Sequence, residues 1–562
     1  MLSSARNTLR NTDVLVVGGG LAGLSTAVFL AQQGVDCLLV ERRPELSGHP
    51  RSRGVHPRAM ELMRAAGVEE ELRATPSART LADNSGVLAA RSLAGPELGV
   101  LDEKYVMDVG ADVGNLSPTG WCLCHQGELE DVLRTRAERL GVALRFGTEL
   151  ISFEQEGPPG EEVTALVQDR ATAVRRSIKA RYLVAADGAH SGIRTDLGIP
   201  FDGRTLGSYV NIHFRADLSE QLAGRRFLMC YTFNDRLRGA LMPLDNAEDW
   251  LLHVAYDPAE EDLESFTEER CADLVRAACG VESLSPRIRS VSPWEGAART
   301  AGRYRDDRVF LVGDAAHVMP PSGGFGSSTG IQDAHNLAWK LAAVLDGWAG
   351  AELLDSYDEE RRPICEATVE QAVLRSQDRP RLFGAEAETP PAPDGIVEDA
   401  LVWLSWRYRS SAVTPWDDGV LPGHGVWSAE NDGRPGSRAP HLRLRRGGAE
   451  LSVLDLFGTE PVLLTGPDNR AWREAARAVA HELGVPLALH GIGAELTDIE
   501  DRWPERYGVT AQGAVLVRPD GVVAWRCADT PVFARNTLRG VVRRLLANEG
   551  RPEGLQGEGA QA

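Results

Sequence analysis

The chain has 562 residues, 43% of them hydrophobic and 25% charged. At roughly 100–200 residues per domain that is room for three or four structural units with real cores. Against 61 Lys plus Arg stand 81 Asp plus Glu, a formal charge of −20. Such a surface repels phosphate backbones and anionic lipid, so neither nucleic acid nor a membrane surface is an expected partner. The eight cysteines, at 37, 122, 124, 230, 271, 279, 365 and 527, are too few for a disulfide scaffold. None forms a CxxC or a His/Cys cluster with metal-ligand spacing, so no metal site is expected; Cys122 and Cys124 read as ordinary semi-buried thiols. A soluble, cytoplasmic, multidomain enzyme is the expectation that remains.

From Val14 to Ala31 the chain runs 18 residues without a charge, close to the length of a membrane span. Asp13 precedes it, no compact basic region flanks it and no small-residue cleavage site follows, so no targeting segment is expected. The glycines inside it have a better explanation. Val14-Leu15-Val16-Val17 is a β-branched run of the kind buried on both faces of a parallel sheet. It leads into Gly18-Gly19-Gly20-Leu21-Ala22-Gly23, a GxGxxG whose continuation is helical. The first glycine permits the tight turn, the second lets backbone approach a pyrophosphate, and the third lets helix pack on strand. A second apolar run, Asp36 to Val40, ends in Glu41, 18 residues beyond Gly23, where an acid caps an adenosine ribose. That arrangement predicts a dinucleotide site for FAD or NAD rather than NADP.

Two later stretches bear on the choice. Val184-Ala185-Ala186-Asp187 is a strand ending in DGxxSxxR, completed by Gly188, Ser191 and Arg194. Val309-Phe310-Leu311-Val312 is a strand ending in Gly313-Asp314-Ala315-Ala316-His317, followed by a Pro- and Gly-rich run and a helix over Ile331–Leu345. A strand-end Asp suits a ribityl hydroxyl, and a glycine-rich helix start offers N–H groups to a flavin oxygen.

These three motifs, in this order, resemble the FAD fingerprints of the class A flavoprotein aromatic hydroxylases, the family of p-hydroxybenzoate and phenol hydroxylases, over about residues 12–380. The resemblance implies an α/β fold: a Rossmann-type FAD-binding domain, an inserted antiparallel substrate-binding sheet and a C-terminal thioredoxin-like domain. Carried over residue by residue, Gly18, Gly20, Leu21, Ala22 and Gly23 would hold the pyrophosphate and Glu41 the ribose, with Arg42 near the adenine side. Arg51 matches an arginine that approaches the pyrophosphate, and Gln126 a glutamine at a helix start beside the ribityl-phosphate arm. Asp314 would hold the ribityl chain, and Asp187 belongs to a motif serving both FAD and reduced nicotinamide. The run Pro321, Gly324, Gly326, Ser327 and Ser328 would meet the pyrimidine end of the flavin; the family commonly has Asn where this chain has Ser328. His317 reads as positional rather than as a base.

Residues 205–300 alternate with period 2, as in Tyr209–Arg215, Arg226–Phe233, Arg238–Pro243 and Trp250–Tyr256, which predicts an antiparallel sheet with one face on a cavity or a core. The stretch 75–120 reads as irregular cover. A helix is expected over 352–378, then a Pro-rich linker. Beyond about residue 430 comes a strand–helix–strand–hairpin–helix order, with a Pro519-Asp520-Gly521 turn, that is thioredoxin-like in sequence of elements. It contains only Cys527, which excludes dithiol redox work. The expected boundaries are 1–75, 121–205 and 300–385 for the FAD-binding domain; 76–120 and 206–299 for the middle domain; 386–429 for a linker; and 430–562 for the tail.

Trp406–Val413 and Val515–Gly521 are similar to passages of the bacterial aromatic-polyketide hydroxylases, extending the resemblance to nearly the whole chain. This branch implies hydroxylation of an anthracycline- or angucycline-like phenol. It further implies that NADPH, as co-substrate, would reduce FAD, that O2 would add at the flavin C4a, and that the hydroperoxide would deliver oxygen beside a phenolate. It also implies two catalytic candidates, Tyr231 on the substrate sheet and Arg379 beyond the long helix. A homodimer is compatible with the sequence. Rival readings are a Baeyer–Villiger or ring-cleaving oxygenase on the same fold, and a flavin-binding protein without turnover.

Overall fold

A computed structural model describes residues 8–102, 114–156, 162–382, 393–414, 426–427 and 432–547. The chain forms two compact units, Met1–His335 with Arg361–Leu404, and Asn336–Glu360 with Ser405–Ala562.

The first unit contains two eight-stranded sheets. In one, the order is Arg305–Asp306, Val309–Leu311, Arg175–Ala185, Thr8–Val17, Cys37–Glu41 and Ala143–Phe146, with Glu162–Asp169 and Thr148–Glu156 attached antiparallel beside Arg175–Ala185. Its central strands are parallel, and their ends at Val14–Val17, Leu38–Val40, Leu183–Ala185 and Val309–Leu311 are buried, which is why those runs are apolar without alternation. Val17, Ala185 and Leu311 are lateral neighbours in that ladder. The residues that follow each of them, Gly18, Asp187 and Asp314, therefore leave the sheet at one edge. The register brings three motifs remote in sequence to one edge of the sheet.

The second sheet runs His317–Val318, Arg287–Ala301, Phe201–Arg215, Asp249–Tyr256, Arg238–Pro243, Met229–Phe233, Val87–Ala90 and Glu97–Asp102. One face is a core: Val210, Ile212, Cys230, Leu241 and Leu252 pack with Cys271, Val275 and Ala278 of the helix Glu268–Cys279. The alternate positions, Asn211, His213, Tyr231 and His253 among them, are only half-buried. Residues 75–120, expected to be irregular, supply a short helix, Pro76–Thr80, and two strands at this sheet's edge; residues 103–113 lie outside the described residues.

The long helix after the glycine-rich run spans Phe325–Leu345, six residues earlier than the expected start at Ile331. Gly323 and Gly324, at φ +89° and +66°, turn the chain into it. The helix Ser356–Leu382 is preceded by a 3-10 turn, Ala351–Asp355. The stretch expected as a linker contains a helix, Asp399–Leu404, whose Trp403 is buried.

In the second unit the four-stranded sheet has the order Ala488–Gly491, Val462–Thr465, Ala514–Val517, Val523–Cys527, the first pair parallel and the others antiparallel. Helices Arg470–Leu483 and Ala534–Leu545 cover one face through Trp472, Val479, Leu538 and Val542. Within this unit the buried Glu360 carboxylate accepts from Lys340 Nζ and Arg518 Nη2, both at 2.8 Å. Burial lowers the Lys340 pKa to about 8, with Glu360 acting against that fall. Among the described residues no helix is long and apolar enough to cross a membrane.

Candidate active site

The glycine turn has the sterics its motif demands. A Cβ on Gly18, at φ +114°, would lie 2.2 Å from the Ala186 carbonyl oxygen, and one on Gly23 would lie 1.9 Å from the Gly18 oxygen. Gly20 differs: a Cβ there would meet only a Glu130 oxygen, at 3.9 Å. Its backbone is approachable, as a pyrophosphate requires. Leu21 and Ala22 open the helix Leu21–Gln32, which follows directly from Gly20. Glu41 accepts from the Gly19 N–H at 2.6 Å and the Arg43 N–H at 2.8 Å, so its carboxylate is fixed at the end of the second strand. Arg42 is exposed beside it.

Arg51 forms an ion pair with buried Glu130. Gln126 is held at both ends: Oε1 accepts from Ser52 N–H at 3.3 Å and Nε2 donates to Glu130 at 2.8 Å. Ser52 and Ser327 share a hydroxyl–hydroxyl hydrogen bond of 3.1 Å, while Ser328 Oγ is fully buried and accepts from His56 N–H at 3.3 Å. The hydroxyl of Ser328 is thus engaged within the protein, leaving its backbone as the part available to a ligand. Pro321 is exposed and Gly326 half-buried where the helix Phe325–Leu345 begins, and Gly324 faces the Trp121 ring.

Asp187 accepts from Ile193 N–H at 3.3 Å through one oxygen, and its other oxygen is buried without a partner. Burial raises its pKa. Asp314 is solvent-accessible; desolvation by the surrounding protein raises its pKa, opposed by His317 and Arg51. Ser322 Oγ and Trp121 Nε1 are also buried with no protein partner. Unmet buried polar atoms beside an approachable glycine backbone and a helix N-terminus fit a large polar ligand such as FAD.

His317 is buried and engaged within the protein. Its Nε2 lies 2.7 Å from Asp333 Oδ2, and Asp333 Oδ1 accepts from Arg361 Nε at 2.8 Å. Burial opposes the imidazolium, but Cys365 and Asp333 raise its pKa well above 6.5. His317, Asp333 and Cys365 group their ligand atoms within 4.8 Å, a cluster the sequence spacing did not reveal; Arg361 supplies its cation.

The segment around Arg51 also touches the second sheet. His49 Nδ1 lies 3.3 Å from Ser290 Oγ, and Arg53 donates to the carbonyls of Pro243 and Leu228 at 2.7 and 2.8 Å. Ser290 is paired with His213, so it belongs to the face away from the helix Glu268–Cys279. Tyr231 is on this same face, half-buried and stacked on Phe233 at 6.3 Å. Arg379 lies in the helix Ser356–Leu382, and its side chain is outside the described ones. Sequence reading gave no role to Glu130, although Gln126 and Glu130 share a helix face at i,i+4.

Comparison with known proteins identifies the family. Residues 11–372 match the family model described as an FAD binding domain, and residues 432–549 that of the aromatic-ring hydroxylase C-terminal region. A Streptomyces halstedii protein provisionally named a polyketide hydroxylase is 47% identical, covering 97% of this chain and 98% of its own. The tetracenomycin A2 monooxygenase-dioxygenase of Streptomyces glaucescens is 40% identical over 97% of this chain and 99% of its own. The crystal structure of aklavinone-11 hydroxylase with FAD and aklavinone superposes with a TM-score of 0.86 at 41% identity, covering 95% of this chain and 99% of that one. The chain belongs to the FAD-dependent aromatic-ring hydroxylases and is a flavin-dependent monooxygenase.

Proposed function

We propose that the protein hydroxylates a polycyclic aromatic polyketide, an anthracycline- or angucycline-like phenol, with FAD as cofactor and NADPH and O2 as co-substrates. The observation that carries this reading is the contact of the nucleotide-binding segment, through His49 and Arg53, with the Tyr231-bearing sheet. Nucleotide loop and substrate sheet then flank one space. The solved relative with FAD and aklavinone supports the substrate class.

In this reading Gly18, Gly20, Leu21, Ala22, Gly23 and Arg51 hold the pyrophosphate, Glu41 and Arg42 the adenosine end, Gln126 and Asp314 the ribityl side, and Asp187 serves both FAD and reduced nicotinamide. The turn Pro321–Gly324 and the first helical amides, Gly326 to Ser328, meet the flavin ring. When bound, FAD supplies the redox chemistry that activates O2. The chain orients the phenol and excludes water, and Tyr231 holds the substrate hydroxyl in a hydrogen bond that polarises it, assisted by the charge of Arg379. The four-stranded C-terminal sheet, with its strand–helix–strand and hairpin order, is taken as a thioredoxin-like domain with a structural or interfacial role.

The test is anaerobic mixing of purified holoprotein with NADPH and a panel of tetracyclic and angular phenols, followed by product masses under labelled O2. Flavin bleaching and a product with one labelled hydroxyl are expected. A flavin that stays oxidised with every phenol overturns the reading, and a labelled lactone or ring-opened acid replaces it with Baeyer–Villiger chemistry.

A further inference from the structure

The pairing register of the second sheet places Ser292, Asn211, His253, Ala240, Tyr231 and Ala89 opposite one another in a single row across its strands. Laterally paired residues share a face, and the positions next to them in sequence pack against the helix Glu268–Cys279. The row therefore points to the side that the His49–Arg53 segment approaches.

Two groups at the far end of this row are unmet. Among the described residues the Asn211 side chain makes no hydrogen bond, and its Oδ1 is buried. The Trp294 indole N–H is buried without an acceptor, its ring stacked on Tyr209 at 4.5 Å and edge-on to His253 at 5.7 Å. Asn211 and Trp294 are diagonal neighbours, since Asn211 pairs with Ser292 and Tyr209 with Trp294. An unmet acceptor beside an unmet donor is costly to maintain in a fold unless something else satisfies both.

Resting on the polycyclic-substrate reading, we propose that Asn211 and Trp294 form a distal anchor that recognises a hydroxyl beside a ring carbonyl, at the end of a fused ring system remote from Tyr231. The hydroxyl donates to Asn211 and the carbonyl accepts from Trp294. Three strand spacings separate Asn211 from Tyr231, about 14 Å at ~4.8 Å per strand. A single ring cannot touch both ends; three or four fused rings can. Ala240, between His253 and Tyr231, leaves the middle of the row low enough for a planar body. Met229, Met242 and Leu251 supply an apolar strip beside it.

The experiment titrates FAD-loaded enzyme with two probes and reads the perturbed flavin absorbance. One probe is a four-ring quinone with a hydroxyl beside a carbonyl at each end; the other is a two-ring hydroxynaphthoquinone. Asn211→Leu and Trp294→Phe should each raise Kd for the four-ring probe by about 5- to 30-fold and leave the two-ring Kd within about twofold. Should Asn211→Leu fail to fold, Asn211→Ser gives the same comparison. Unchanged four-ring binding, or equal losses for both probes, overturns the anchor while leaving the proposed reaction standing. Wild-type enzyme that binds neither probe overturns the polycyclic reading, and the anchor with it.

Discussion

Arg51 Nη2 donates to both carboxylate oxygens of Glu130, at 2.9 and 2.8 Å, across 79 residues of sequence. The Glu130 side chain is 1% exposed and that of Arg51 35%, so the carboxylate is the anchor and the guanidinium the end that reaches outward. Glu130 lies beside Gly20, where the backbone is approachable, and takes a third hydrogen bond from Gln126. A positioned cation at that turn favours a pyrophosphate. Glu130→Gln keeps the shape and removes the charge that orients Arg51. FAD retention should fall by roughly tenfold, the size of one charge-assisted hydrogen bond, measured by flavin fluorescence released on dilution. Retention equal to wild type would remove Arg51 from cofactor binding.

The three glycines of the turn should separate in their phenotypes. Gly18→Ala and Gly23→Ala each force a Cβ onto backbone, at 2.2 Å from Ala186 O and 1.9 Å from Gly18 O, and neither contact can yield without moving a buried strand. Loss of soluble folded protein is expected for both. Gly20→Ala meets nothing closer than 3.9 Å, so the cofactor-free protein should melt within a few degrees of wild type, roughly 2–4 °C, yet fail to bind FAD. Gly20→Ala protein that retains full yellow colour after desalting contradicts the assignment of pyrophosphate to this turn.

The glycine turn and the strand-end acids were legible because local sterics and charge demand particular residue types at fixed offsets. Their convergence was not. It follows from the lateral match of Val17, Ala185 and Leu311, a property of strand pairing. The early start of the helix at Phe325 was missed because Gly326-Ser327-Ser328-Thr329-Gly330 has poor helix propensity. Packing overrides that preference: a Cβ on Gly330 would come within 3.2 Å of Gly313 Cα, a close approach that favours glycine inside the helix. The strands Val87–Ala90 and Glu97–Asp102, the last two of their sheet, are short with Gly and Pro around them, so their alternation is weak. Glu130 and Asn211 owe their importance to contacts, or unmet polar atoms, that no spacing in the sequence announces.

The buried group of His317, Asp333 and Arg361 should make stability depend on pH with a defined sign. Burial would raise the Asp333 pKa, but His317 and Arg361 hold it at about 2, below the ordinary 3.8. Its contribution is present above pH 3.8 and fades as pH falls towards 2. His317, raised well above 6.5, contributes fully below 6.5 and less as pH rises through its folded value. The pair is at full strength between pH 3.8 and 6.5. Asp333→Asn removes the carboxylate that His317 and Arg361 share in the interior and should cost about 3–5 kcal/mol. Thermal melts of both proteins across pH should show the widest gap in that window; a gap independent of pH argues for packing alone.

Asp314 carries the opposite sign. Burial raises its carboxyl pKa against the pull of His317 and Arg51, so its favourable contribution belongs to acid pH and is lost as pH rises through the folded value. At neutral pH an ionised Asp314 is a liability, which cofactor bound in the proposed way would compensate. Asp314→Asn should raise the melting temperature of cofactor-free protein at pH 7–8 while weakening FAD binding about tenfold. Equal or lower stability without cofactor would show that the carboxylate has an unrecognised partner.

Tyr231 tests the chemistry rather than the cofactor site. Its ring stacks on Phe233 and stands opposite Ala240 and Ala89, so Tyr231→Phe keeps the packing and removes only the hydroxyl. FAD content should therefore be unchanged, and NADPH oxidation should continue. Hydroxylated product per NADPH consumed should fall about 10- to 100-fold, because the phenol loses the hydrogen bond that polarises it in the transition state. A fall in kcat with little change in KM distinguishes this from a loss of packing, which would weaken substrate binding as well. Product yield equal to wild type would leave polarisation to Arg379 alone, and Arg379→Met should then abolish coupling where Tyr231→Phe did not.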